Sequence, residues 1–341
     1  MLLGIPMAND VIETAKKHIE RALAARDAAD ISWIQPPPEK DGWTLAADAL
    51  QFIDALVREL RPRHVIEFGA GLSTKVLARA CVQMQSPCAI SSVDHDPEFG
   101  VSDTRKFVES EKDLTLSSQI SPLVARDYGG KLLPTYYFDR AKLASKDPAD
   151  LVLIDGPPVN LGGREGVLYQ VLEFCKPGTI VLLDDASRGS ERIAARNWQE
   201  TLGDAVEVIK LPNFTKGMVA AIVKRAVPVA DLWSARLANA KKQIEAIVPA
   251  GAKFVLVESS NWEGLNAWPL VKRGDEDWGS PESDDVAMAE LEARKSEGAT
   301  HFILPWTSVW WTDSYPQFFA QLRKKYRCVA DGDLLLAFDL R

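Results

Sequence analysis

A chain of 341 residues is long enough for two domains of ordinary size. Its 46% apolar and 26% charged residues exclude disordered, collagenous and coiled-coil classes. Forty basic against 48 acidic residues give a net charge of −8, shared evenly as 27 against 31 up to Arg225 and 13 against 17 beyond it, so neither part presents a basic surface for nucleic acid.

Val11, Ile12, Ala15, Ile19, Ala22 and Leu23 recur at helical spacing, which predicts an amphipathic helix from Asn9 to about Asp30 with Asn9 or Asp10 as its N-cap. Pro36, Pro37 and Pro38 cannot continue it, because proline lacks the amide donor and clashes with the preceding turn. A second helix, carried by Leu45, Ala46, Ala49, Leu50, Phe52, Ile53, Leu56 and Leu60, stops before Pro62. Residues 1–60 are thus expected to be a helical lead-in.

From Arg63 to about Arg225, short β-branched runs alternate with helical patterns, the signature of a parallel sheet flanked by helices. The expected strands are His64–Phe68, Ala89–Asp94, Leu114–Ile120, Leu151–Asp155, Thr179–Asp184, Ala205–Lys210 and Gly217–Val223. Helices are expected near Ser73–Cys81, Asp103–Glu111, Arg164–Cys175 and Ser190–Leu202. Seven strands fit one doubly wound α/β domain over residues 61–226.

A second, smaller α/β domain is expected over residues 227–341. Its helices are Asp231–Ile247, Asp284–Ser296 and Tyr315–Tyr326, and its strands are Lys253–Val257, His301–Leu304 and Leu334–Asp339. A loop of about 25 residues rich in Trp, Gly, Asp and Glu follows its first strand. Seven of the ten tryptophans lie after Leu232, and for Trp306, Trp310 and Trp311 burial competes with stacking on a planar or sugar ligand.

Cys81, Cys88, Cys175 and Cys328 have no framework spacing, and His18, His64, His95 and His301 are scattered, which argues against a disulfide scaffold or a zinc ribbon. No run approaches the roughly 18 to 20 apolar residues of a membrane span. The opening segment lacks the basic region of a signal peptide, so a cytoplasmic protein is expected.

The most informative segment is Val65-Ile66-Glu67-Phe68-Gly69-Ala70-Gly71-Leu72-Ser73-Thr74, where a strand runs through a glycine turn directly into a helix. Two glycines one residue apart let the backbone approach a ligand, and the helix N-terminus offers free amides and partial positive charge to a carboxylate or phosphate. A dinucleotide fingerprint needs a third glycine where this sequence has Thr74, which weakens a nicotinamide dehydrogenase reading. Glu67 stands two residues before the first glycine, and Asp94 closes the next strand in Val93-Asp94-His95-Asp96-Pro97.

This E-x-G-x-G arrangement followed by an acid resembles the S-adenosylmethionine-binding segment of the Rossmann-like, class I methyltransferases, over roughly Asp41 to Arg225. The resemblance implies a cofactor site of Glu67, Gly69, Ala70, Gly71, Ser73, Thr74, Asp94, His95, Asp127 and Asp155. In it the glycine loop cradles methionine and ribose, Asp94 accepts both ribose hydroxyls, and Asp127 with Tyr128 lies near the adenine. The residues alone also allow a ligand-free βα turn at Gly69 and Gly71 and a turn-forming role for Asp94.

Asp155 ends one strand before Gly156-Pro157-Pro158, and Asp184-Asp185 ends the next. In a doubly wound sheet ligands bind outside the carboxyl ends of the strands, so these acids belong beside a methyl donor. In the cation-dependent O-methyltransferases, which include the catechol and caffeoyl-coenzyme A enzymes, two Asp and one Asn at these positions bind magnesium or calcium. That resemblance implies a metal site of Asp155, Asp184 and Asp185, with Asp185 in place of Asn. The lysine those enzymes carry three residues after the first acid is absent, because position 158 is proline. Without a metal, Asp155 or Asp184 becomes the candidate general base, and the acid pair could instead cap the following helix. Arg164 and Lys216 are expected as solvated charges that could meet an anionic acceptor.

The segments Glu258–Asp285 and Leu304–Pro316 are similar to a short α/β module accompanying glycosyltransferases and methyltransferases of bacterial surface-polysaccharide assembly, which implies a sugar-type acceptor. The resulting expectation is methyl transfer from S-adenosylmethionine to an oxygen of a small hydroxylated or sugar-type acceptor, with Mg2+ or Ca2+ assisting. A non-catalytic scaffold of surface-glycan assembly is the alternative.

Overall fold

Strand β1 (His64–Phe68) is buried at every residue, the environment of a strand covered on both sides by helices. Val65 faces one apolar cluster, while Ile66 and Phe68 face another across the sheet. The computed structural model describes residues 8–34, 44–99, 101–257, 262, 264–273, 276–277 and 279–341. Its two compact units are Met1–Leu232 and Trp233–Arg341. The expected proline break at 36–38 lies outside the described residues.

In the first unit α1 (Ala8–Ala25) and α2 (Ala47–Leu60) precede β1. Their apolar faces fill the cluster beneath one side of the sheet, so the lead-in helices share the sheet's own core. Arg21 Nη1 donates to Glu59 Oε1 (3.0 Å), linking the two helices. Helix α2 ends at Arg61, which takes the left-handed conformation and donates its N–H to the Val57 carbonyl, the usual way to satisfy a last-turn acceptor ahead of a proline.

There follow α3 (Leu72–Gln83), β2 (Cys88–Asp94), α4 (Ser102–Glu109), β3 (Leu114–Ile120), β4 (Leu123–Asp127), β5 (Leu132–Tyr136), β6 (Ala149–Ile154), α5 (Glu165–Val171), β7 (Cys175–Asp184), α6 (Gly189–Leu202), β8 (Val206–Leu211) and β9 (Met218–Val223). The seven-stranded sheet has the order β3-β2-β1-β6-β7-β9-β8. Strands β3, β2, β1, β6 and β7 are parallel, whereas β9 runs antiparallel to both β7 and β8. The doubly wound seven-stranded sheet expected from the sequence is thus a mixed one: the six-residue connection between Leu211 and Met218 is too short for a crossover and suits an antiparallel return.

The chain leaves β1 toward β2 on one side and returns as β6 on the other, so the strand order reverses between β1 and β6. A crevice opens at such a point because successive loops depart in opposite directions. No element was expected between Ile120 and Leu151, yet β4 and β5 form an antiparallel hairpin. Pro134 is tolerated in it because β5 pairs only with β4.

The second unit contains α7 (Leu232–Ile247, from its second residue), β10 (Lys253–Leu256), β11 (Ala267–Trp268), β12 (Lys272–Arg273), β13 (Glu276–Asp277), α8 (Asp284–Ser296), β14 (Ala299–Pro305), α9 (Trp311–Ser314), α10 (Pro316–Lys325), β15 (Arg327–Asp331) and β16 (Leu335–Asp339). Its five-stranded sheet runs β11-β10-β14-β16-β15, with apolar clusters on both faces. Trp311 is buried in one cluster, and Trp306 packs edge-on against Trp233 and Trp262 at 5.5 and 5.6 Å. Trp310 is 44% exposed. Trp278 lies outside the described residues.

Candidate active site

The turn after β1 owes its shape to its glycines. Gly69 has φ +99°, and a Cβ there would stand 3.0–3.1 Å from the backbone and Cβ of Asp155 and the amide of Gly156, so only glycine lets β1 and β6 close together. Gly71 has φ +147° and nothing within 4 Å of a would-be Cβ, which leaves open space over the turn where α3 begins. Lacking a side chain, Gly71 caps none of the first amides of α3, a partial positive charge at the crevice.

Beneath this turn lies Glu67. Thr74 and Ser92 donate their hydroxyls to its Oε2 at 2.5 and 2.8 Å, and Thr74 Oγ1 in turn accepts the Gly71 N–H at 3.1 Å. Burial pushes the Glu67 carboxyl up to about 7, partly offset by hydroxyls of Ser73, Thr74 and Ser92. Both Glu67 and Thr74 are fully buried. They stand behind the turn and shape it.

Asp94, at the end of β2, accepts the Ala70 N–H at Oδ2 (2.6 Å) and the Asp96 N–H at Oδ1 (2.8 Å). Its carboxylate faces a crevice of about 430 Å³ lined also by Gly69, Ala70, Gly71, Ser73, His95 and Asp155. Each carboxylate oxygen has a second lone pair, so Asp94 can hold the turn and still receive hydroxyl donors. His95 Nδ1 lies 3.2 Å from Asp94 Oδ1.

Asp127 is not part of this wall. It is an exposed residue at the end of β4, where Oδ1 accepts the Gly130 N–H at 2.7 Å and closes the hairpin turn. Asp127 does not line this crevice, and Tyr128 is buried in the core beside Tyr169. The hairpin instead delivers Tyr136, which the sequence reading missed. Its buried hydroxyl lines the crevice with no hydrogen-bond partner, and a Cβ at Gly156 would run into it. Burial, then Asp94 and Asp155, push this phenol well above its ordinary range.

Asp155, Asp184 and Asp185 do converge, with one carboxylate oxygen from each lying within 4.8 Å of the others. Asp185 takes φ +59°, unusual for a non-glycine residue, and α6 begins at Gly189 with Arg188 as N-cap and no side-chain cap bond, so the acid pair does not cap that helix. Burial pushes Asp155 well above the usual carboxylate range, and burial with the neighbouring Asp185 pushes Asp184 up to about 6.

Arg164 was expected at the surface, but its side chain is 5% exposed and enters this cluster. Nη1 donates to the Asp184 carbonyl (2.8 Å), while Nη2 donates to Asp185 Oδ2 (2.8 Å) and lies 3.0 Å from Asp155 Oδ1. A divalent ion needs oxygens pointing at it from about 2.0 to 2.6 Å. Here two of the three carboxylates already point at a guanidinium, a positive charge that competes with an ion for the same acids. The three acids are close enough to hold a cation together, and the Arg164 guanidinium already stands among them, on Asp155, on Asp185 and on the Asp184 backbone carbonyl.

Lys216 Nζ donates to the Thr44 carbonyl (2.9 Å). Among the described residues no helix is long and apolar enough to cross a membrane.

Residues 66–186 match the family model described as a methyltransferase domain. No curated protein matches the sequence. Among solved structures the chain is similar to the SAH-bound methyltransferase of Podospora anserina, at 12% identity and a TM-score of 0.40, covering 65% of this chain and 99% of that one. It is also similar to the C-terminal domain of precorrin-6Y C5,15-methyltransferase from Rhodobacter capsulatus, at 11% identity and a TM-score of 0.34, covering 54% and 92%. The segment matched by the family model starts within β1, includes the E-x-G-x-G turn and ends just after β7.

Proposed function

Starting from a methyltransferase domain at residues 66–186, we propose that the first unit transfers the methyl group of S-adenosylmethionine to a hydroxyl oxygen of a small acceptor, which includes sugar-type molecules. The observation that carries this reading is one crevice lined by the uncapped glycine turn, by Asp94 and by Asp155. Gly69, Ala70, Gly71 and Ser73 would hold the methionine part against the start of α3, and Asp94 would accept the ribose hydroxyls. S-Adenosylmethionine supplies, when bound, a sulfonium methyl whose C–S electron pair goes to sulfur as the new C–O bond forms.

Asp155 is the residue for the acceptor's proton. It lines the crevice, whereas Asp184 is buried and does not. Burial raises its proton affinity, which makes its carboxylate a better base than an exposed one. The hydroxyl proton passes to Asp155 while its oxygen gains the methyl group. Phe99 and Leu161, 42% and 43% exposed on the crevice wall, offer apolar surface to the carbon skeleton of the acceptor.

Calorimetry with S-adenosylhomocysteine tests the reading. Saturable binding that Asp94→Asn weakens, together with radiolabelled methyl transfer into a pool of hydroxylated small molecules, is the expected result. Binding with no transfer to any acceptor would leave the scaffold alternative; no binding would remove the reading altogether.

A further inference from the structure

We propose that Arg164 is the resident cation of the acidic cluster at the ends of β6 and β7, and that methyl transfer in this crevice runs without a divalent ion. The proposal rests on the reading of the crevice as a methyl-transfer site and adds how its charge is balanced. Three carboxylates face the guanidinium, Asp155, Asp185 and, with Oε1 4.0 Å from Nε, Glu191 of α6, while the Asp184 backbone carbonyl accepts from it. Arg188 adds a second positive charge, its Nη1 lying 2.9 Å from Asp185 Oδ2.

A guanidinium is planar, carries five donors and keeps its charge at every pH at which a protein folds. It can therefore engage the Asp184 carbonyl and two carboxylates at once without competing for their protons, which an ammonium or imidazolium could not do as well. Buried within the cluster, Arg164 compensates acids whose mutual repulsion would otherwise drive protons onto them. Its ion pair with Asp155 Oδ1 holds the carboxylate that takes the acceptor's proton, so Arg164 is a positioning residue. The buried Oδ1 atoms of Asp184 and Asp185 have no partner and remain as acceptors within the cluster.

The test titrates MgCl2, CaCl2 and MnCl2 into the full chain by calorimetry up to about 10 mM, above the weakest ordinary calcium sites, with S-adenosylhomocysteine in parallel. No saturable heat from any ion is expected, while S-adenosylhomocysteine binds, and EDTA leaves methyl transfer unchanged. Arg164→Gln should lower kcat roughly 100-fold, the scale of losing one oriented charged group, and move the rising limb of its pH profile upward, because the guanidinium favours ionised Asp155. Arg164→Lys should recover part of the pH shift. A saturable divalent ion that Asp185→Asn abolishes, or EDTA inactivation reversed by Mg2+, would overturn the assignment even if Arg164→Gln failed to fold. Ion binding with intact S-adenosylhomocysteine binding sinks only the role of Arg164, whereas loss of S-adenosylhomocysteine binding by the unmodified chain sinks the underlying function.

Discussion

The amide of Ala70 donates to Oδ2 of Asp94 over 2.6 Å, tying the glycine turn after β1 to the end of β2. One carboxylate thus sets the shape of the loop and offers its remaining lone pairs to a ligand. Asp94→Asn keeps one acceptor oxygen and should weaken S-adenosylhomocysteine binding by about 1.5–3 kcal/mol, the scale of hydrogen bonds to a charged group. Asp94→Ala strands both the Ala70 and Asp96 amides and should also cost about 1–3 kcal/mol of folding stability. Calorimetry and urea melts separate the two effects; equal affinity in all three proteins would remove Asp94 from the site.

The two glycines of the turn should behave differently. Gly69→Ala forces a Cβ to within 3.0–3.1 Å of Asp155 and Gly156 at φ +99°, and roughly 2–4 kcal/mol of lost stability is expected from crowding plus the left-handed backbone. Gly71→Ala meets no atom within 4 Å, so its stability cost should stay near the backbone strain of about 1–2 kcal/mol. Its methyl group would protrude into the space assigned to the ligand, and S-adenosylhomocysteine affinity should fall more than stability does. A ranking in which Gly71→Ala folds worse than Gly69→Ala would contradict this packing.

Glu67 makes stability depend on pH in a defined direction. Its folded carboxyl is raised from 4.5 to about 7, so between those values the folded state holds a proton the unfolded chain has released. Stability associated with this group is complete below about pH 4.5 and declines as pH rises to 7, by about 3 kcal/mol in all. The groups facing it are Ser73, Thr74, Ser92 and Asp94. Glu67→Gln retains an acceptor for the hydroxyls and should flatten the decline, seen as a smaller difference in Tm between pH 5 and pH 8. An unaltered slope in the variant assigns the effect to another residue.

The hydroxyl of Tyr136 has no partner although the side chain is buried. Tyr136→Phe therefore breaks no hydrogen bond in the free protein and should change stability by less than about 0.5 kcal/mol. If the hydroxyl serves a bound ligand, S-adenosylhomocysteine affinity or kcat should drop about 5- to 20-fold, the size of one hydrogen bond. A loss of stability without a change in either would show that the group is satisfied inside the fold.

Methyl transfer should follow the protonation of Asp155. Its carboxyl is raised by burial, lowered by Arg164, and raised again by Asp184, Asp185 and Glu67. The rate should consequently rise with pH across a range above that of an exposed carboxylate, and Asp155→Asn should abolish the rising limb. A pH-independent rate in the unmodified enzyme would exclude Asp155 as the proton acceptor.

The seven strands of the first sheet and the glycine turn could be read from the chain because each depends on neighbouring residues: β-branched runs, helical spacing, and two glycines where a strand meets a helix. The direction of β9 was less visible, since the same apolar run suits either orientation and only the short connection after Leu211 decides it. The β4–β5 hairpin escaped because Pro134 interrupts a pattern of modest apolarity, and Tyr136 was missed with it.

Local order along the chain therefore determined the class of fold, the place of the ligand turn and the identities of Asp94 and Asp155. Tertiary structure alone decided that Glu67 and Thr74 stand behind the turn, that Asp127 belongs to a hairpin, and that Arg164 joins acids 9, 20 and 21 residues from it. The reason is physical: a charge's role depends on what surrounds it after burial, and Coulomb and desolvation energies act through space rather than along the sequence.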